Sequence, residues 1–352
     1  CWPGWGMNTW EQIFGQKLRP LDSWLDQPAE GGGKTWRETF VPSLLKRGQY
    51  KGATYLLPYN FDVFGIWYNR KMFARHGWTP PHTYEELLEL SEKIKAERIA
   101  PMTFTGRYPS YLLRGCYYPW LISAGGLEAF NAIQNLEPDA WKHPAALRAA
   151  RAIVEMKKLG NFQPGAIGMS HTESQIEFLV ERAAMVPCGT WLHSEMKNIM
   201  PPDFEMEFMP CPVFSDGIGD PSLLCAQIDG KGWCIPTDAK NPEAAAGFFR
   251  YLSSPPMAKR FVETKGTLMA IQDLGEVNAP PHLRTVLKLV AESKGTWTNF
   301  IEEWYPELAR KQDDLLRDLI NGMVTPEEFV EKMEATSREV RENPEVEKFR
   351  VD

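Results

Sequence analysis

Long apolar runs are missing from this chain: no window approaches the roughly 18 uninterrupted apolar residues that a membrane-spanning helix needs. Its first residues also lack the basic start, apolar middle and small-residue cleavage site of an export leader. That second absence decides little, because the sequence reads as incomplete at its N-terminus. Metal and redox signatures are equally scarce. The six cysteines, Cys1, Cys116, Cys188, Cys211, Cys225 and Cys234, form no CxxC pair and join no histidine at ligand spacing, so no metal or other cofactor is expected. Cys225 and Cys234 lie close enough in sequence for a disulfide to staple a hairpin in an exported protein, and buried thiols account for them as well.

The six histidines, His76, His82, His143, His171, His193 and His282, are scattered, and neither HExxH nor GxSxG occurs, so no catalytic residue is assigned. Basic charge is short too: 39 Lys and Arg face 46 Asp and Glu, a net charge of −7. Without a Lys and Arg cluster interleaved with aromatics, nucleic acid is a poor partner, and a neutral or cationic ligand fits better. No internal repeat or low-complexity tract appears, which sets aside solenoids and propellers.

What remains is an ordinary soluble composition, 43% hydrophobic and 24% charged, on 352 residues. At roughly 150 residues per domain this is enough for two. The 13 tryptophans carry unusual weight. An indole buries a large apolar area, so packing accounts for most of them. Rings on loops beside glycine or polar residues are the ones free to stack on the C–H faces of a sugar, and Trp191 and Trp233 are the best placed.

Strands alternate with longer helices, the pattern of an α/β protein. Leu57 to Asn69 reads as an apolar run that ends in polar and aromatic residues and re-forms as a short strand. Pro80-Pro81 then breaks the chain, and Thr83 with Glu86 forms a capping box ahead of Leu87, Leu88, Ser91 and Ile94 at helical spacing. A second helix starts near Pro144 and stops at Gly160, and a third spans about residues 172–182. Ala183 to Val186 reads as a strand that breaks at Pro187-Cys188-Gly189. Gly232 to Pro236 reads as another, before Asn241 caps a helix with Pro242 in its first turn. Thr325 and Glu328 repeat the capping box after Gly322, in a tail that is mostly helical from about residue 297. Gly33-Lys34-Thr35 imitates the end of a phosphate loop, but the motif's first glycine falls on Pro28, and the lysine reads as solvated.

Four blocks, in order, resemble the family 1 extracellular solute-binding proteins of sugar ABC importers, the group shaped like maltose-binding protein. They are Gln16 to Leu25; Leu57 to Leu87; Phe178 to Met185 followed by Gly189-Thr190-Trp191; and Lys240 to Pro255. Pro187-Cys188-Gly189-Thr190-Trp191-Leu192 with Glu195-Met196-Lys197 is most similar to the branch that imports N-acetylglucosamine or chitobiose. The resemblance implies the two-lobed, type II periplasmic-binding fold. Lobe 1 would comprise 1–60 and 228–296, lobe 2 would comprise 61–227 and 297–352, and a hinge would close over ligand. Family members carry further strand and helix units before Trp2, so lobe 1 is expected to be truncated, with Cys1 an interior residue rather than a lipidated one.

By the same resemblance the protein is a monomer outside the cytoplasm, in the periplasm or lipid-anchored at the outer face of the membrane. It would pass a mono- or oligosaccharide to permease subunits. The ligand-binding residues implied are Trp5, Tyr59, Asn60, Asp62, Tyr108, Trp191, Asp229, Trp233 and Trp304. Asp62 reads equally as a turn cap, and Tyr108 and Trp304 equally as packing. A glycoside-active enzyme would need paired carboxylates, such as Asp62 with Glu177 or Asp229, and no spacing supports the pair. A glycerol phosphate ligand would want clustered arginines, where only Arg70, Arg107 and Arg114 are at hand; a polyamine is the remaining alternative.

Overall fold

The computed structural model describes residues 16–227, 232–272 and 274–351. The chain divides into two compact units: unit 1, Cys1–Val63 with Ala226–Lys288, and unit 2, Phe64–Cys225 with Leu289–Asp352. Its strands among the described residues are β1 (Gln49–Tyr50), β2 (Ala53–Thr54), β3 (Leu57–Pro58), β4 (Asn60–Asn69), β5 (Ala100–Met102), β6 (Ala183–Gly189), β7 (Met206–Met209), β8 (Leu224–Gln227), β9 (Gly232–Trp233), β10 (Leu268–Met269) and β11 (Thr296–Trp297). The chain leaves unit 1 within β4 and returns to it within β8.

Unit 2 is built on β4. From Phe61 to Asn69 every residue of this strand is buried, the continuous run expected of a strand covered on both faces. The strand is unbroken over all ten residues, where the sequence suggested a short one. Antiparallel pairing sets Phe64 opposite Gly189 and Tyr68 opposite Met185 of β6, and Ile66 opposite Met209 of β7. Parallel β5 joins the outer side of β6, with Met102 opposite Met185. At the end of β4 the Asn69 side chain accepts from the Lys71 and Met72 amides and so starts the helix Arg70–His76.

Of the helices of this unit, Tyr84–Ala96 packs on β5 and His171–Leu179 on β6, while Tyr118–Gln134, Pro144–Lys158, Pro306–Asn321 and Pro326–Glu342 pack chiefly on one another. Their buried faces meet around Trp120, Trp141, Tyr117 and Phe329, which have essentially no exposure. The capping boxes at Thr83/Glu86 and Thr325/Glu328 are both formed, with reciprocal side-chain and backbone bonds.

In unit 1, β3 pairs with β9 and β1 with β2, and the helices Pro242–Leu252 and Pro255–Lys265 pack behind them. Asp22 ties its start together. Its carboxylate accepts from the Thr54 amide at 2.8 Å and from Arg37 at 2.9 Å. These partners hold it below the usual carboxylate range against the opposing effect of burial.

Three local expectations change. β6 does not stop before Pro187 but runs through Gly189. Because β5 pairs no further along it than Met185, Pro187 has a strand neighbour on one side only, where its missing N–H costs no ladder bond. β9 is two residues long and ends at Trp233, since its partner β3 offers only two residues to pair. Asn241 precedes its helix without making a side-chain cap bond; Pro242 at the first position serves instead. Cys225 and Cys234 are buried and not joined to each other, and Cys116, Cys188 and Cys211 are buried as well.

Candidate functional site

A group of aromatic rings gathers at one end of β4 and β6 in unit 2, and each ring is placed by a specific backbone device. The segment from Thr103 to Pro109 leaves β5 and is held by a neighbouring turn. Gly106 donates to the Ala166 carbonyl at 3.0 Å, Arg107 to that of Met169 at 3.1 Å, and the Thr105 hydroxyl also to Met169 at 3.0 Å. A Cβ at Gly106 would lie 2.1 Å from the Ile167 carbonyl oxygen, so only glycine lets the two backbones approach this closely.

Held this way, the loop presents Tyr108, which is 49% exposed. It then enters the helical turn Ser110–Leu112, which carries Tyr111, and a π-helical stretch, Leu113–Tyr117, which carries Arg114. On the other side, β6 ends at Gly189 and the chain turns so that Trp191 folds back over it. A Cβ at Gly189 would stand 1.9 Å from the indole.

The rings meet edge to face, the arrangement their quadrupoles favour. Trp191 lies 5.6 Å from Phe64 and 5.9 Å from Tyr111, and Phe64 lies 5.5 Å from Tyr111. His171 extends the group, 5.5 Å from Tyr108. Phe64 is fully buried, whereas Trp191, Tyr111 and His171 are half-buried and Tyr108 exposed. The group thus has a packed floor and an open rim.

Polar side chains surround the rings and pair with one another. The Glu195 carboxylate lies 3.5 Å from His171 Nε2 and accepts from Gln175 Nε2 at 2.9 Å. Arg114, 5.8 Å over the Phe64 ring, pairs with Glu302, whose other oxygen accepts from Asn299 at 3.0 Å. Arg317 donates to the Gly106 carbonyl at 3.2 Å and pairs with Asp314 at 2.8 Å. Burial first, and then the negative charge of Glu302, pushes the nearby Asp313 carboxyl up to about 7. Burial likewise raises the Tyr111 hydroxyl. Such a surface suits a ligand with apolar faces and uncharged hydrogen-bonding edges. Among the described residues no cluster of His, Cys, Asp and Glu is placed to hold a metal ion.

The residues singled out in the sequence fall in several places. Tyr108 and Trp191 belong to this group. Tyr59 and Trp233 meet in unit 1 at 5.3 Å, edge to face, and pack on Phe261 and Phe249. Asn60 is half-buried on β4 opposite Met269. Asp62 is 1% exposed inside β4, which corrects its reading as a turn cap: it sits in a strand interior. Trp304 is stacked on Phe300 at 4.5 Å and on Phe349 at 5.3 Å, so much of its ring is already covered by protein. Trp5 and Asp229 lie outside the described residues.

Glu177, considered as half of a catalytic pair, is engaged by Gln163 at 2.5 Å and Arg182 at 2.7 Å. Sequence reasoning missed Tyr111, His171 and Glu195 as site residues and weighed Arg114 only as a phosphate contact. The spacing of Tyr108 and Tyr111, one helical turn apart, was the one local signal for any of them. A groove of about 570 Å³ elsewhere on unit 2, lined by Lys95, Arg98, Gln163 and Arg182 among others, contains none of these rings. Its charged walls offer no stacking surface.

Comparison with known proteins speaks to the family and the fold. A family model described as "Bacterial extracellular solute-binding protein" matches residues 15–285. The diacetylchitobiose binding protein NgcE of Streptomyces coelicolor is 27% identical over 342 residues, which are 95% of this chain and 72% of that protein. A multiple sugar-binding protein of Streptococcus mutans is 25% identical over 279 residues, 77% of this chain and 62% of the other. Among solved structures, a chitin oligosaccharide binding protein superposes with a TM-score of 0.77 at 20% identity, covering 94% of this chain and 80% of that one. That likeness carries the fold, and it is the α/β type II binding-protein fold expected from the sequence.

Proposed function

The chain belongs to the bacterial extracellular solute-binding protein family, and we infer that it is the substrate-binding subunit of a carbohydrate ABC importer, with a ligand of the N-acetylglucosamine or chitobiose class. The observation that carries this reading is the open ring group of unit 2: Trp191 and Tyr111 half-exposed, Tyr108 exposed, over a Phe64 floor with the buried Arg114 against it, rimmed by Glu195 and His171. Sugars present alternating C–H faces and hydroxyl edges, which call for rings flanked by short polar contacts. NgcE and the chitin oligosaccharide binding protein support the choice of amino sugar.

Binding without turnover is the activity assigned. Glu177 is tied to Gln163 and Arg182, so a glycosidase pair built on it would first have to break those bonds. A phosphorylated ligand is disfavoured because Arg114 already pairs with Glu302 and Arg70 with Glu205. We take it to act as a monomer; an extracytoplasmic location and delivery to permease subunits are the reading that the family supports. Among the described residues no helix is long and apolar enough to cross a membrane.

The test is titration of the protein with diacetylchitobiose and with maltose and raffinose as controls. Diacetylchitobiose is expected to change the tryptophan fluorescence and to bind without release of reducing sugar. Trp191→Ala is expected to abolish the fluorescence change and weaken binding by about 1–3 kcal/mol, the range for a stacked ring lost from a site. Unchanged affinity in that variant would remove Trp191 from the site, and steady production of reducing sugar would replace binding by hydrolysis.

A further inference from the structure

One carboxylate beside the ring group is not answered by a cation of the protein. Glu195 stands one helical turn after Trp191, its amide donating to the Trp191 carbonyl at 3.0 Å, so the two side chains rise from neighbouring positions of the same turn. The Glu195 side chain is 35% exposed, as is that of His171. Two residues one turn apart on the helix His171–Leu179 hold it in place. Gln175, itself 1% exposed, donates from Nε2 to one carboxylate oxygen at 2.9 Å, and His171 Nε2 lies 3.5 Å from the other.

Neither neighbour supplies a full countercharge. The amide of Gln175 is neutral, His171 is charged only when protonated, and 3.5 Å is long for a hydrogen bond. Cations on nearby segments are engaged elsewhere, Arg114 with Glu302 and Arg317 with Asp314. Arg107 lies within electrostatic reach of Glu173, and Lys197 of His193. Among the described residues no lysine or arginine pairs with Glu195.

The position of this charge matters because His171 touches the rings, 5.5 Å from Tyr108 and 6.5 Å from Tyr111 between centres. Glu195 therefore borders the surface on which a ligand would stack. Aromatic faces carry negative potential and attract cations, so rings and carboxylate favour the same ligand feature: a positive charge beside an apolar face. A neutral ligand covering the rings would strip water from Glu195 and return only dipoles. An ammonium group would return a charge.

We propose that the ring group selects sugars carrying a free, protonated amine: Glu195 accepts from the ammonium while Trp191 and Tyr111 stack on the pyranose, so a deacetylated amino sugar binds in preference to its N-acetylated form. The proposal rests on the reading of the ring group as the sugar site and narrows it. Acetylation removes the charge and leaves a single neutral N–H donor, so the acetylated sugar still stacks but binds more weakly.

The experiment compares, by calorimetry on the whole chain at about pH 7, three disaccharides of one linkage: chitobiose with both amines free, diacetylchitobiose, and cellobiose with hydroxyls in their place. The free amine is expected to bind tightest, about tenfold tighter than diacetylchitobiose, the difference between a charge-assisted and a neutral hydrogen bond. Glu195→Gln removes the charge while leaving an amide oxygen that can accept from Gln175, and should cut that preference to about twofold or less. Salt raised from about 0.01 M to about 1 M should erode the preference in the wild type.

Two results would overturn the proposal and leave the sugar site standing: diacetylchitobiose binding as tightly as the free amine, or a preference that survives Glu195→Gln undiminished. If none of the three disaccharides binds, the sugar reading fails and the proposal falls with it. Spermidine, an open-chain polycation, tests charge without a pyranose face and is expected to bind about tenfold more weakly than the free-amine disaccharide. Equal or tighter binding of spermidine would show that the rings read charge alone, and would overturn the selection of a sugar.

Discussion

Gly189 and Trp191 show how one missing side chain can set the position of a functional one. The indole occupies the space where a Cβ on Gly189 would stand, 1.9 Å away. Trp191 has solvent on one side and can swing outward, so Gly189→Ala should leave the fold nearly as stable while displacing the ring. The expected result is an affinity for diacetylchitobiose weakened by about tenfold, as befits a displaced aromatic contact worth roughly 1.4 kcal/mol, with a thermal midpoint close to wild type. A large drop in the midpoint with unchanged affinity would mean that the ring stays and the strand gives way. At this scale the sequence was partly readable: Gly189-Thr190-Trp191 marked a ring on a turn. Its neighbours were mostly hidden, because Phe64 comes from β4, Tyr111 from the turn Ser110–Leu112 and His171 from the helix His171–Leu179, and only tertiary packing brings them together. Arg114 and Glu302 stand 188 residues apart in the chain, and nothing in either local segment announces the other.

The elements that were legible are those written in short-range chemistry. Thr83 and Glu86 both make their cap bonds, the Glu86 amide donating to the Thr83 hydroxyl at 3.1 Å and the Thr83 amide to the Glu86 carboxylate at 3.2 Å. The Glu86 carboxyl is held below its ordinary range chiefly by the His82 and Thr83 amides it accepts from. Thr83→Ala should cost about 1 kcal/mol, seen as a lower urea midpoint with an unchanged slope. A loss below about 0.3 kcal/mol would show that the second half of the box, Glu86 on the His82 and Thr83 amides, suffices alone. Caps depend on residues three apart, so the sequence contains the whole device. The length of β4 and the passage of β6 through Pro187 depend instead on which strands lie alongside, information that pairing partners far away in the sequence supply. The π-helical stretch Leu113–Tyr117 was equally invisible, since no local residue pattern marks the extra residue of a π-turn.

At the scale of the whole molecule, charge separates the possible ligand classes. The chain carries a net charge of −7, a long-range field that repels anions and draws cations, and that added salt removes. Close to the rings, by contrast, Arg114 is matched by Glu302 and Arg317 by Asp314. A neutral sugar feels neither effect, because its contacts are stacking and hydrogen bonds over a few ångströms. A polyamine would be attracted by the net field, and a phosphorylated ligand would have to compete with Glu302 for Arg114. Raising the salt from about 0.01 M to about 1 M shortens the screening length from about 30 Å to about 3 Å. Measured by calorimetry at one fixed pH, the diacetylchitobiose affinity should change by less than about twofold over that range. A cationic ligand would weaken progressively as the field of the acidic chain is screened, and an anionic one would strengthen at low salt only by displacing Glu302 from Arg114. Either trend for the bound solute would identify it as charged and exclude the neutral sugar.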